Sequence, residues 1–579
     1  MKYALIALVT VLALSGCPGN SPSDPPPENT TPTGPNNPSG PGPAANYTFS
    51  YDGNGSDGGT VPAGPATYAF SQTVTVLGNT GSLVKTGKVF DGWNTNAAGT
   101  GTWYRPGDTL YLSADKTLFA SWVNTDEKHF WASRITDSSW YLLTAQQLAE
   151  GTHCIVYADI TAGITPTMGA AVAAKYDTYI HNQITDAFGD IEDVDGNGKV
   201  IILMLDIIDG YTGSGGYSAG YFQGYQMYQR SVIRPYSNEA DMLYMDTYPG
   251  FNPGNQQNFY STIAHELQHL IEFSQLEAKS KAAKDLWINE GLSTAAEYIY
   301  GTGTGSPAHQ QARIDYFNAG FAPNGNPKTS IPMGNNFFVW DGYWEQEYGD
   351  VLADYATAYL FFQWLRIHAN DIAIYKDIIA SPYGDYKAVI FPASSRIDSS
   401  LSSWGTLLRS WLLANYVKDA AGLLGYKGEI NTTTWPFPPA WLNFPSSQQT
   451  YLSPGEGVYS TISSSISPSS GGNIKYAGIN SGTVSTTGTY TGTLLTFNAN
   501  SNKAGSDEIG KIAANVVSGP YASVQMSLNG IAASVITAPL PTSYPIDVHF
   551  GPDGTLSPDS PRVGTGSSGI SAKPLGFRK

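Results

Sequence analysis

Two histidines one helical turn apart, with a glutamate directly after the first, constrain this chain more than any other feature. His265-Glu266-Leu267-Gln268-His269 lies inside STIAHELQHLIEFSQLEAK. That run has apolar residues at Ile263, Leu267, Leu270 and Ile271 and neither Gly nor Pro, so it predicts a helix. Residues four apart on a helix share a face with Cβ atoms about 5–6 Å apart, so both imidazoles can reach one cation. Glu266 then lies beside that cation, where its carboxylate can hold a water and accept its proton. With 8 histidines in 579 residues, His-Glu-x-x-His arises by chance about 0.003 times in a chain of this composition. The competing reading is two surface histidines near an acid.

A catalytic zinc site takes three protein ligands and keeps a position open for water. The segment LWINEGLSTAAEYIY, residues 286–300, places Glu290 21 positions after His269, enough chain to end one helix and start a second packed against it. This spacing favours Zn2+ held by His265, His269 and Glu290. Leu286-Trp287-Ile288-Asn289-Glu290-Gly291 resembles the segment that supplies the third ligand in gluzincin metallopeptidases. The Gln between the histidines, INEGLSTAAEY and the upstream GYFQGYQMY are similar to the hyicolysin family of secreted bacterial peptidases, over most of 125–430. That resemblance implies His265, His269 and Glu290 as zinc ligands and Glu266 as general acid/base. Thermolysin-type members carry an Asp four residues after the ligand glutamate to orient a histidine, and this chain has Thr294 there. Glu297, two turns after Glu290 and on its face, either takes that part or is a solvated charge. A donor to the oxyanion is also expected. Tyr355, in DYATAYLF, occupies a place resembling the tyrosine of the aminopeptidase branch, although packing is the competing reading for any one of 37 tyrosines. His368 is the second choice, while His129, His153, His181, His309 and His549 have no partner at a readable spacing.

The chain around this motif changes composition repeatedly and reads as multidomain. Residues 1–17 combine Lys2, an apolar core YALIALVTVLAL and Leu14-Ser15-Gly16-Cys17, an export signal too short to span a bilayer. Its ending resembles the lipobox of bacterial lipoproteins, which implies an exported, surface protein held to the membrane through lipid on Cys17; an ordinary signal with an incidental Cys is the alternative. Residues 18–45 are dense in Pro, Gly, Ser and Asn and read as a disordered linker. From 46 to 124 short alternating runs predict a small strand-rich domain. There YDGNG, TVTVLGNTGSLVKTGKVFDGWN, YRPGD and LFASW resemble the Listeria-Bacteroides (internalin B-type) repeat. The resemblance implies a β-grasp-like stalk or interaction module, with a surface ligand as its partner and no chemistry.

Residues 125–440 mix helical and strand patterns and read as a mixed α/β or α+β body, for which the peptidase resemblance implies an α+β, zincin-type metallopeptidase domain. Val172, Tyr176, Ile180, Ile184 and Phe188 recur every fourth residue, a strand VIILMLDI follows at 200–207, and DMLYMDT at 241–247 stands where zincin folds place an edge strand that can pair with an extended peptide. Residues 441–550 predict a C-terminal β-sandwich-like domain and 551–579 a disordered tail. Asp193, Asp195 and Asn197 begin a calcium-loop pattern, but its twelfth position is Met204 where a Glu belongs, so Ca2+ competes with a plain Asp-Gly and Asn-Gly turn. With two cysteines, Cys17 and Cys154, no disulfide framework exists, and Cys154 in HCIVYADI reads as a buried strand residue. Thirty Lys+Arg against 47 Asp+Glu, a net charge of -17, argue against a nucleic-acid partner. The expected function is a surface-anchored zinc endopeptidase acting on extracellular proteins. An aminopeptidase is the nearest enzyme alternative, without a Gly-Ala-Met-Glu-Asn motif to grip a free amine, and a surface adhesin with a non-catalytic scaffold is the alternative from another class.

Overall fold

The computed structural model describes residues 46–319, 351–433, 450–501 and 510–512, with short gaps at 65–66, 70–71, 138, 214–216, 231–235, 253–255, 277–278, 280, 306–307, 453–454, 456 and 467–472. The export signal with Cys17, the 18–45 linker and the 551–579 tail lie outside the described residues. No described helix is long and apolar enough to cross a membrane. The chain has a β-rich N-terminal region, a helical middle and a β C-terminal region. The described residues up to Asp177 and from Glu192 to Phe259 form one compact unit; Thr178–Ile191 and the residues from Tyr260 onward form another.

The first unit begins with β1 (Asn46–Asp52), β2 (Thr67–Ala69), β3 (Thr73–Thr75), β4 (Lys88–Asn94), β5 (Trp103–Tyr104), β6 (Thr109–Tyr111) and β7 (Lys116–Asn124). Five of these pair in the order β2-β1-β7-β4-β5, and β3 pairs with β6. Alternating apolar residues close a core of Phe49, Val74, Val76, Trp93, Leu112 and Leu118 between the two pieces. Trp93 is buried, and its indole N–H donates to Leu77 O at 2.8 Å, as a buried Trp requires. Gly92 sits at φ +90 where the β4–β7 register slips, and a Cβ there would lie 2.6 Å from Tyr104 O, so the bulge demands glycine.

A second sheet follows, built from β8 (Glu127–Ser133), β9 (Trp140–Glu150), β10 (Cys154–Asp159), β11 (Val200–Leu205), β12 (Gly220–Tyr221) and β13 (Met242–Asp246) in the order β12-β13-β11-β10-β9-β8. Strands β10, β11 and β13 run parallel, and β11 and β13 are buried at every position, which explains their unbroken apolar sequence. Met242–Asp246 is not the edge expected of it. Gly220 and Tyr221 add antiparallel to Met245 and Tyr244 and cover that side. Cys154 is buried in β10, and burial pushes its thiol up to about 12, as suits packing rather than nucleophilic chemistry.

The four-residue repeat at 172–188 runs through α1 (Pro166–Lys175), a π-helical turn (Tyr176–Ile180) and α2 (His181–Phe188), and all five apolar residues are buried. Four residues overshoot one α-helical turn by about 40°, an excess that a wider π turn absorbs. The second unit also holds α3 (Gln256–Gln275, from Tyr260 on), α4 (Leu286–Thr304), α5 (Ala308–Ala319), α6 (Val351–Ala369), α7 (Ala373–Ala380), α8 (Lys387–Arg396) and α9 (Trp404–Val417). Helix α4 ends on Gly305 at φ +67, the left-handed cap that glycine adopts freely. It packs on α6 so closely that a Cβ at Gly291 would fall onto the Phe362 ring. The C-terminal strands β14 (Thr450–Leu452), β15 (Gly457–Ile466), β16 (Ile474–Asn480), β17 (Thr483–Ser485), β18 (Tyr490–Asn498) and β19 (Gly510–Ile512) form a four-stranded sheet, β15-β18-β16-β17, and the pair β14-β19. This sheet is fixed to α9, where the Tyr459 hydroxyl donates to Leu412 O and the Tyr459 ring stacks on Tyr416 at 5.2 Å.

Within the first unit the N-terminal strands are joined to the second sheet by charge. The Arg105 guanidinium lies over Trp103 and donates to Asn238 O at 3.2 Å and His129 O at 3.4 Å. Asp91 accepts from the His129 backbone N–H at 2.9 Å and meets its Nδ1 at 2.7 Å, while Arg230 pairs with Asp108 at 3.4 Å. Burial lowers Arg105 to about 10, so it stays charged at neutral pH. Arg105→Ala removes donors from two carbonyls at this joint and is expected to lower unfolding stability by about 1–3 kcal/mol. Urea unfolding of the purified chain measures it, and an unchanged midpoint would show that the joint adds no stability.

Candidate metal centre

Every residue of α3 from Phe259 to Ser274 is buried, so its polar side chains Ser261, Thr262, His265, Glu266, Gln268, His269, Glu272 and Ser274 sit inside the protein. Buried charges are costly unless paired or bound to a cation, and this helix turns both imidazoles toward α4, whose own Asn289, Glu290, Ser293 and Glu297 are buried too. His265 Nε2 lies 3.2 Å and His269 Nε2 3.8 Å from the same carboxylate oxygen, Glu290 Oε2. The imidazole centroids are 4.9 Å apart with planes at 73°. The ligand atoms of His265, His269 and Glu290 all fall within 4.8 Å of one another. Ligands at zinc's usual bond lengths in a tetrahedron stand about 3.3 Å apart, so these separations and this nitrogen and oxygen donor set suit Zn2+. The His269 side chain keeps 10% exposure while His265 and Glu290 keep none, so the centre opens on the His269 side.

The other ring nitrogen of each histidine is also engaged. His265 Nδ1 lies 2.8 Å from Glu297 Oε1, and His269 Nδ1 lies 3.1 Å from Ser293 Oγ. The Glu297 contact leaves His265 Nε2 turned toward Glu290, the orientation that a partner behind a metal ligand enforces, whereas Ser293 Oγ lies beside the His269 ring and is also 3.3 Å from its Nε2. Glu297 is therefore no solvated charge, and it stands where a helical residue seven positions after Glu290 must stand. Thr294, at the thermolysin-type position, donates instead to Gly291 O at 2.9 Å. Ser293 also contacts Gln268 Oε1, and Gln268 in turn donates to Glu272 at 3.1 Å, so the two helices share one polar network.

Electrostatics at His265 show what the pocket favours. Burial by itself lowers the imidazole pKa, but hydrogen bonds to Glu290 and Glu297 and the charges of Glu297 and Glu266 outweigh it, raising His265 to about 10. The site attracts positive charge, and a metal ion and a proton compete for Nε2. Glu266 is fully buried one residue after His265. Tyr355 is buried on α6 with its ring centroid 6.4 Å from that of His265. His368 is not placed there by a comparable contact; its Nε2 meets Gly425 O at 2.8 Å and its ring packs on Trp364, a structural role.

Sequence reasoning did not find Ser293 or the Arg313 guanidinium that lies 3.4 Å from Glu297. Ser293 has a signal, three positions after Glu290 on the same face, and Arg313 has none. The calcium expectation gains no support. Asp193 accepts from the backbone N–H groups of Gly196, Asn197 and Gly198, Asp195 from Asn197, and Asn197 Oδ1 from Lys199, so the oxygens cap their own turn. The carboxylate that stands with Asp193 and Asp195 is that of Asp241.

Over 272 residues, 46% of this chain, the sequence is 32% identical to the neutral metalloprotease ShpI of Staphylococcus hyicus. The chain spans 57% of that relative's length. Residues 47–121 match the Listeria-Bacteroides repeat domain. An 84-residue stretch, 14% of the chain, is 39% identical to a protein of Evansella cellulosilytica provisionally named a membrane protein, covering 12% of that protein. The structure thus holds a candidate His/Glu metal site in a chain with a metalloprotease relative.

Glu297→Ala is expected to weaken zinc binding by about 10–100-fold, because His265 loses the group that sets its tautomer and ring plane. Competition against a chromophoric chelator measures this, and parental affinity would remove Glu297 from the metal's support.

Proposed function

We propose that the chain is a zinc-dependent endopeptidase of the gluzincin type, with His265, His269 and Glu290 as ligands and Glu266 as general acid/base. The observation that carries the reading is the convergence of both Nε2 atoms on one Glu290 oxygen, with Glu266 adjoining in the same buried helix. The ShpI relative supports peptide hydrolysis as the reaction, and the resemblance of INEGLSTAAEY and GYFQGYQMY to the hyicolysin family supports the zincin-type fold. Bound zinc would supply Lewis acidity to water and to the scissile carbonyl. Glu266 takes the proton of the attacking water at its carboxylate and delivers it to the departing amine nitrogen. The Tyr355 hydroxyl donates to the carbonyl oxygen as negative charge develops there. Glu297 keeps the His265 imidazole in the tautomer that presents Nε2.

The β-grasp-like repeat, the β-sandwich-like C-terminal domain and a lipid on Cys17 complete the proposal of a surface-anchored enzyme acting on extracellular proteins. The Evansella relative fits a membrane-linked location. The adhesin alternative leaves the Glu297 contact behind the His265 ring without a purpose.

Glu266→Gln should retain zinc and lower kcat on peptides by about 10²–10⁴-fold, the range for loss of a general base. Parental cleavage by this variant would sink the mechanism. Tyr355→Phe should lower kcat by about 10²–10³-fold with little change in KM; steady-state kinetics on an internally quenched peptide separate the two, and a change confined to KM would assign Tyr355 to binding instead.

A further inference from the structure

Arg313 reaches the metal centre from a third helix. It lies on α5, is 7% exposed, and places its guanidinium between two groups that the proposed chemistry needs held still. On one side its Nη2 is 3.4 Å from Glu297 Oε1, the same oxygen that meets His265 Nδ1 at 2.8 Å. On the other its Cζ lies 4.9 Å from the centre of the Tyr355 ring. A planar guanidinium suits both contacts at once, since it pairs with a carboxylate through its edge and lies against an aromatic ring through its face, which a lysine ammonium cannot do in one pose. Helix α5 packs on both α4, which carries Glu297, and α6, which carries Tyr355, so the contact joins three elements of one unit.

We infer that Arg313 is a positioning residue that couples His265 to Tyr355: through Glu297 it fixes the orientation of the ligand imidazole, and through the ring face it fixes the phenol. The inference rests on the zinc reading above and adds a function for a residue outside the motif helices. Removing the guanidinium frees both partners, which predicts two separable effects. Metal affinity falls through Glu297, and turnover at saturating metal falls through Tyr355.

The test uses the full chain and the variants Arg313→Met, Arg313→Lys, Glu297→Ala and the double variant Arg313→Met/Glu297→Ala. Zinc affinity is read by chelator competition and, independently, from the visible absorption of the cobalt-substituted protein, which reports ligand geometry without any turnover. Arg313→Met is expected to bind zinc about 10-fold more weakly, to shift the cobalt spectrum, and to lower kcat at saturating zinc with KM little changed. Arg313→Lys should recover most of the zinc affinity, since a cation again faces Glu297, but not the kcat, since it does not cover the Tyr355 ring. In the double variant zinc affinity should equal that of Glu297→Ala alone, because the arginine acts on the metal through Glu297. Parental zinc affinity and spectrum in Arg313→Met, or fully additive losses in the double variant, would overturn the inference. If Arg313→Met does not fold, Arg313→Lys decides: parental kcat in that variant refutes the hold on Tyr355. A parent chain that binds no zinc would instead defeat the metal reading itself, so the two failures are distinguishable.

Discussion

Carboxylates buried without water need positive charge beside them, and this requirement organises the helical unit. Glu266, Glu290 and Glu297 are each at most 2% exposed, and all three act on His265. Desolvation alone would make such a cluster untenable. The guanidinium of Arg313, a proton on His265 or a divalent ion each relieves it. The all-round burial of α3, the close approach of α4 to α6 through Gly291 and the placement of α5 are the packing conditions that bury these carboxylates.

The candidate ligand set was legible because a helix converts spacing into direction. Positions 265 and 269 share a face, and 290, 293 and 297 share a face of the next helix, so the partners meet once the helices pack. The same logic brought Glu297 forward as a candidate and would have reached Ser293. It could not reach Arg313, whose position depends on how a third helix docks rather than on any period within it. Thr294 shows the limit of motif comparison, because the role expected at that position has moved one turn along the helix.

Strand patterns were read with similar unevenness. The apolar run of β11 reads as a strand and that of β13 as an edge strand, and both are parallel strands buried at every position, since both faces of such strands are covered. The two-residue β12 has no periodicity to read, and missing it turned an interior strand into an apparent edge. The Asp193 turn illustrates another ambiguity: alternating oxygens serve equally well to hold a cation or to cap backbone N–H groups, and in this loop they cap.

The joint formed by Arg105, Asp91, His129 and Asn238 bears on what the N-terminal strands can be. A module that hangs from its neighbour by a slack tether can tumble and be exchanged for another of different length. One whose arginine donates into the adjoining sheet has a fixed attitude, so a pull applied at Asn46 is transmitted into the β8 strand rather than absorbed by a swivel. Swapping this repeat for a homologous copy would preserve that stiffness only where the incoming module brings its own partners for His129 and Asn238.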